Sequence, residues 1–84
     1  MKNKDKEKKE LLNRLNRAQG QLRALMEMIE NEAPCEKTLV QFKATKAALE
    51  NAFAKFLEIS LKNCLAQKDE KNLASILKII CQNL

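Results

Sequence analysis

From Pro34 to about Cys64 the chain runs for roughly 30 residues without a glycine or a second proline, long enough for one helix of about 45 Å. Along it Leu39, Phe42, Leu49, Phe53 and Phe56 keep a rhythm of threes and fours, with Lys46 and Ser60 in the remaining slots. A chain of 84 residues has too little else to cover a helix of that length. Its apolar stripe therefore calls for another subunit. The simplest arrangement is an antiparallel pair of these helices about a two-fold axis, closing into a dimeric four-helix bundle.

The flanking segments carry helical signals too. Leu11, Leu15, Ala18, Leu22, Leu25 and Ile29 are spaced 4, 3, 4, 3 and 4 apart, which predicts a first helix over 10–31 behind a basic, flexible tail over 1–9. "NEAP" ends that helix, and Pro34 suits the first turn of a second over 34–65. "AQKDEKN" is the next break. Asp69 is placed there as the N-cap of a third helix over 69–83, with Leu73, Ile76, Leu77, Ile80 and Leu84 as its stripe. With one Gly, one Pro and neither Trp nor Tyr, residues 1–84 read as a single all-α domain of three helices.

Charge is concentrated at one end. Residues 1–23 hold eight Lys or Arg against Asp5, Glu7 and Glu10, a net of +5, whereas 24–84 hold eight of each sign. That asymmetry suits an encounter with a polyanion, with a merely solvated basic tail as the alternative. Arg14, Arg17 and Gln21, at i, i+3 and i+7, form a polar edge able to lay donors against phosphates or base edges. Lys46 interrupts the apolar stripe of the second helix, a placement that suits a side chain emerging at a surface. No apolar run is long enough to span a bilayer, and no apolar segment follows the charged start, so a cytoplasmic protein is expected.

Three cysteines and no histidine leave free, metal-binding or redox-reactive thiols as the chemistry to explain. Cys35 and Cys64 lie 29 residues apart at opposite ends of the second helix, about 43 Å, and cannot meet within one chain. If the two-fold axis crosses near Leu49 and Glu50, Cys35 of one subunit meets Cys64 of the other. Both thiols can also be small buried hydrophobes, and Cys81 is expected to pack beside Leu77 and Leu84. Met26 and Met28 read as core or interface filler. No Gly-rich loop or Ser/His/Asp set builds a pocket with a base, which argues against an enzyme.

"LLNRLNRAQGQLRAL" (11–25), "PCEKTLVQFKATKAAL" (34–49) and "FLEISLKNCL" (56–65) together resemble the copper-sensitive operon repressor (CsoR) family of bacterial transcriptional repressors. The resemblance runs from about residue 9 to 66 and is carried most by R-x-x-R-x-x-G-Q-x-R, here Arg14 to Arg23. It implies a homodimer that pairs into a homotetramer, binds operator DNA when free and releases it when an inducer occupies a site between subunits. The positions matching the family's operator contacts are Arg14, Arg17, Gln21 and Lys46. Metal sensors of the family resemble one another in a Cys, His, Cys set; here those positions are Cys35, Ser60 and Cys64.

Loss of the imidazole makes the chain similar to the persulfide-sensing, CstR-like branch, which also keeps two cysteines and a lysine in the "ATKAAL" stretch. On that reading reactive sulfur is the inducer, no cofactor is needed, and Cys35, at the positive end of the helix dipole, is the attacking thiol. Three alternatives stand beside it. Cu(I) could be held by the Cys35 and Cys64 thiolates in the same kind of repressor. The chain could instead be a thiol sulfur carrier, or a coiled-coil adaptor in which the cysteines do nothing but pack.

Overall fold

The computed structural model describes residues 2–82 and contains three helices, α1 (Lys2–Glu30), α2 (Cys35–Ala66) and α3 (Glu70–Gln82). Among the described residues there is no strand. Position 83, the expected end of the third helix, and Leu84 of its stripe lie outside the described residues.

The first helix corrects one expectation. Residues 2–9 are not a flexible tail but the opening turns of α1. Lys and Glu are good helix formers, and nothing in "KNKDKEKK" breaks a helix. Two of its acids are also anchored across the chain: Glu7 Oε2 lies 3.7 Å from Lys62 Nζ, and Glu10 Oε2 lies 3.1 Å from Lys55 Nζ.

Both long helices stop in the same way without a glycine. After α1, Ala33 N–H donates to Met28 O at 2.9 Å and Glu32 N–H to Ile29 O at 3.2 Å. After α2, Asp69 N–H donates to Cys64 O at 3.0 Å and Lys68 N–H to Leu65 O at 3.2 Å. These are paired C-terminal closures of the Schellman kind, and they put Glu32 and Lys68 at φ of 53° and 54°, the left-handed region. Pro34 is the N-cap of α2, one residue ahead of the helix. Asp69 caps α3, its Oδ1 accepting from Asn72 N–H at 3.1 Å.

α1 and α2 form an antiparallel hairpin, and α3 packs on α2 but not on α1. The seam between them includes Leu11, Arg14, Ala18, Gln21, Leu25 and Met28 of α1 and Thr38, Gln41, Thr45, Ala48, Ala52, Lys55 and Ile59 of α2, each at least half-buried. Each set keeps a strict 3,4 rhythm, so the seam is a two-stranded helical pairing, yet nine of these thirteen positions are polar or alanine. Among the described residues only Ala18, Leu25, Ala52, Cys64 and Lys55 are buried.

The large apolar residues lie on a different face. Phe42, Phe53 and Phe56 are 45%, 50% and 55% exposed, and Leu15, Leu22, Ile29, Leu39 and Leu49 are exposed with them. The Cα positions span 51 × 31 × 14 Å. A slab 14 Å deep is one helix thick. Domains bury their apolar faces between at least two layers, and a single chain supplies one.

Candidate functional site

The two thiols expected to act together stand at opposite ends of α2 and in different surroundings. Cys35 opens α2 and is exposed, at the mouth of a 380 Å³ recess shared with Met28, Ile29, Leu39 and Phe42. Cys64 is buried, 5% exposed. It lies about 180° round α2 from Lys55, which pairs with Glu10 of α1, so α1 is not what covers it. The covering element is α3, whose inner row Leu73, Ile76 and Ile80 is half-buried against α2. Ser60 is half-buried one turn before Cys64. Cys35, Ser60 and Cys64 all share the side of α2 that carries Phe42, Leu49 and Phe53.

Cys81 differs from its expected packing. It is exposed on α3, because it falls outside the inner row that ends at Ile80. Among the described residues of one chain, no three His, Cys, Asp or Glu side chains converge as a metal site. Cys35, Ser60 and Cys64 offer two thiols and one hydroxyl as donors. Two thiolates suit a soft, two-coordinate cation such as Cu(I), whereas a neutral hydroxyl is a poor third donor for it.

The four polar residues matched to DNA contacts do not form one row. Arg14 is half-buried, and its Nη1 donates to Asn51 O at 3.0 Å, which fastens α1 to the middle of α2. Arg17 is exposed beside it over a small recess of 90 Å³ floored by Ala48 and Asn51. Gln21 turns into the seam, where its Oε1 accepts from Gln41 Nε2 at 2.7 Å. Its main-chain oxygen accepts from the same nitrogen at 3.0 Å and from Thr45 Oγ1 at 3.2 Å. Lys46 is exposed beside Leu49, Glu50 and Phe53, on the apolar side of the hairpin. It is about 160° round α2 from Ala48, so within one chain it is well separated from Arg14 and Arg17.

An ion cluster that sequence spacing only half revealed holds the start of α1 to the second half of α2. Lys55, with 8% of its surface exposed, lies 3.1 Å from Glu10 and 3.4 Å from Glu58; Lys62 lies 3.6 Å from Glu58 and 3.7 Å from Glu7. The hydrogen bond to Glu10 holds the Lys55 ammonium above the ordinary lysine range, against the opposing effect of burial. The hydrogen bond from Lys55, followed by its charge, holds the Glu10 and Glu58 carboxyls below theirs. The i,i+3 and i,i+4 pairs within α2 are visible in the sequence, but the cross-helix partners lie far apart in the chain, Glu10 45 residues from Lys55 and Glu7 55 residues from Lys62, and the hairpin brings them together.

A family model described as "Metal-sensitive transcriptional repressor" matches residues 7–82. The copper-sensing transcriptional repressor CsoR of Bacillus subtilis (strain 168) is 41% identical over 61 residues, covering 73% of this chain and 60% of that protein. The match thus spans less than two thirds of the relative's length. Among solved structures, the nickel-responsive transcriptional regulator InrS superposes with a TM-score of 0.73 at 26% identity, covering 90% of this chain and 91% of that one. Among the described residues no helix is long and apolar enough to cross a membrane.

Proposed function

The chain belongs to the metal-sensitive transcriptional repressor family, and from that premise we propose that it is a cytoplasmic, homo-oligomeric repressor that releases operator DNA when reactive sulfur joins Cys35 of one subunit to Cys64 of the other. The observation that carries this reading is the placement of both thiols, without any imidazole, on the apolar side of a one-helix-thick slab. Around Phe42, Leu49 and Phe53 that side is open to a second copy, whereas over Cys64 it is covered by α3, and antiparallel pairing of two α2 helices brings opposite ends together. Two such pairs per dimer follow, and a pair of dimers gives the tetramer.

The chemistry needs only a sulfane-sulfur donor. The exposed Cys35 thiolate attacks the terminal sulfur of a persulfide R–S–SH; the S–S bond breaks, RS⁻ leaves with the electron pair, and Cys35–S–SH remains. The thiolate of Cys64 of the partner subunit then attacks the Cys35 sulfur and expels HS⁻, leaving a disulfide across the interface. A covalent bridge between the ends of two α2 helices shifts one hairpin relative to the other, and with it the basic ends of the α1 helices.

A second reading keeps the repressor and makes Cu(I) the inducer, held by the same two thiolates. It is favoured by the copper-sensing relative and by a donor set that suits two-coordinate copper. Operator-release titrations separate the two. With a polysulfide donor, sulfur sensing predicts loss of DNA binding that dithiothreitol reverses and that Cys35→Ser and Cys64→Ser each abolish. Release by stoichiometric Cu(I), with no change under polysulfide, would establish the copper reading instead.

A further inference from the structure

A bridge at Cys64 asks two elements to occupy one place. Cys64 is 5% exposed because α3 lies over it, and Leu57, Ser60 and Leu61 around it on α2 are half-buried with it. A disulfide brings its two Cα atoms to within about 4.4–6.8 Å. A helix packed on α2 keeps its axis about 8–10 Å away, with side chains filling the space between. The start of a partner's α2 therefore cannot reach the Cys64 sulfur while the inner row of α3, Leu73, Ile76 and Ile80, stands there.

α3 is the element of this fold that is held most lightly. Its 13 residues put it in the range where a helix alone in water is marginal, so its helicity depends on contact with α2. None of its described residues is buried, and the inner row is only half-buried. It packs on α2 and not on α1, and it joins α2 through Gln67, Lys68 and Asp69, with Lys68 at a φ of 54°. Its first turn is fastened by the Asp69 cap, whose Oδ1 accepts from Asn72 N–H. By contrast, α1 is clamped to α2 by Arg14, Gln21 and the Lys55 cluster. An element with few buried contacts opens locally at a fraction of the cost of global unfolding.

We propose that α3 is a lid over Cys64. In the reduced chain it keeps that thiol from the partner's Cys35; the bridge forms when α3 lifts from α2, and the bridge then holds it off. The inference rests on the sulfur-sensing reading and adds the regulation of that site. Cys35 is exposed and takes sulfur whether the lid is open or shut. While the lid is shut, a thiolate in solution can attack the outer sulfur of Cys35–S–SH, leaving R–S–SH and the Cys35 thiolate. Only a persulfide that outlasts the opening of α3 is captured by Cys64. The lid thus sets how long exposure to sulfur must persist before the bridge closes.

The test uses the full chain carrying Cys81→Ser, so that only the two thiols report. Hydrogen exchange read by mass spectrometry compares the reduced protein, the dimer bridged by inorganic polysulfide, and a Cys64→Ser chain given the same polysulfide, which keeps the Cys35 persulfide but has no thiol to bridge it. The α3 amides should be protected in the first and third and exchange at least about tenfold faster in the bridged dimer. Quenched intact-mass time courses then separate sulfur uptake from bridging. Asp69→Ala removes the side-chain cap of α3 and leaves its main-chain bond to Cys64 in place; it should leave uptake by Cys35 unchanged and accelerate bridging roughly threefold or more. Ile76→Ala should accelerate bridging roughly tenfold, and Asp69→Ala carries the test where Ile76→Ala disturbs assembly. Protected α3 amides in the bridged dimer overturn the lid, as does bridging at the parent rate in both variants. Failure of the sulfur reading looks different: polysulfide then gives no Cys35–Cys64 bridge, while diamide, which takes one hydrogen from each thiol and is itself reduced to the hydrazine, forms that bridge with α3 opened. A chain that neither reagent bridges overturns the lid and the sulfur reading together.

Discussion

Replacing Phe53 by alanine should dissociate the assembly, and the size of the effect can be worked from the single chain. Phe53 is 50% exposed in the hairpin. Half of a phenylalanine's surface is about 100 Å², and at about 25 cal/mol per Å² its burial by a partner contributes about 2.5 kcal/mol. A two-fold dimer contains two such residues, so the substitution removes about 5 kcal/mol from association. At 1.4 kcal/mol per tenfold, the dissociation constant rises by roughly three and a half orders of magnitude. Sedimentation velocity across a wide concentration range reads this directly, with helicity followed in parallel, because a chain one helix thick is expected to lose structure as it dissociates. A variant with the same mass and the same concentration dependence as the wild type would refute the argument that the apolar side of the slab is an interface.

The difference in cover over the two thiols predicts their reactivity: with Cys81 replaced by serine, a bulky maleimide should label Cys35 at least about tenfold faster than Cys64, and Ile76→Ala on α3 should accelerate Cys64 alone. Equal rates in the native chain would mean that α3 does not protect Cys64. At the two left-handed helix ends, Glu32→Gly and Lys68→Gly should each stabilise the chain by about 0.5–1 kcal/mol, since glycine adopts positive φ without the penalty that a side chain incurs; denaturant midpoints check this. The ion cluster predicts a pH dependence. Glu10 and Glu58 have carboxyls held below their ordinary range, so their contribution is present above that range and is lost as pH falls through and below it. Lys55→Met should therefore destabilise the chain at pH 7, with the gap to wild type closing as the solution is acidified; a gap independent of pH would remove the cluster from the account.

The three-helix architecture was legible in the sequence because hydrophobic periodicity, one proline and two polar breaks all agree. The division of labour between faces was not. The stripe of α1 read from hydrophobicity mixes two surfaces: Leu11, Ala18 and Leu25 lie in the seam with α2, whereas Leu15, Leu22 and Ile29 lie on the open face. The intrachain seam is built mostly from alanines, threonines, glutamines and charged side chains, with Leu11, Leu25, Met28 and Ile59 among them, so a search for apolar residues finds the face meant for a partner more readily than the one that closes the hairpin. Gln21 shows the consequence. At i+7 from Arg14 it reads as part of a polar edge, yet its amide is used on Gln41 and its carbonyl on Thr45, two residues whose proximity depends on the fold. The early start of α1 was hidden for a related reason, since a run of lysines reads as a solvated tail until the acids between them find partners on α2. Cys35 and Cys64 stood out by chemistry and spacing, but that one is open and the other lies under α3 depends on packing that no local pattern encodes.

Intact-mass and peptide mapping of the reduced protein after treatment with a sulfane-sulfur donor tests the central claim most directly. The account predicts covalent dimers in which the Cys35 peptide of one subunit is joined to the Cys64 peptide of the other, absent in Cys35→Ala and retained in Cys81→Ala. A wild-type chain that stays unmodified, or that cross-links only through Cys81, would contradict it.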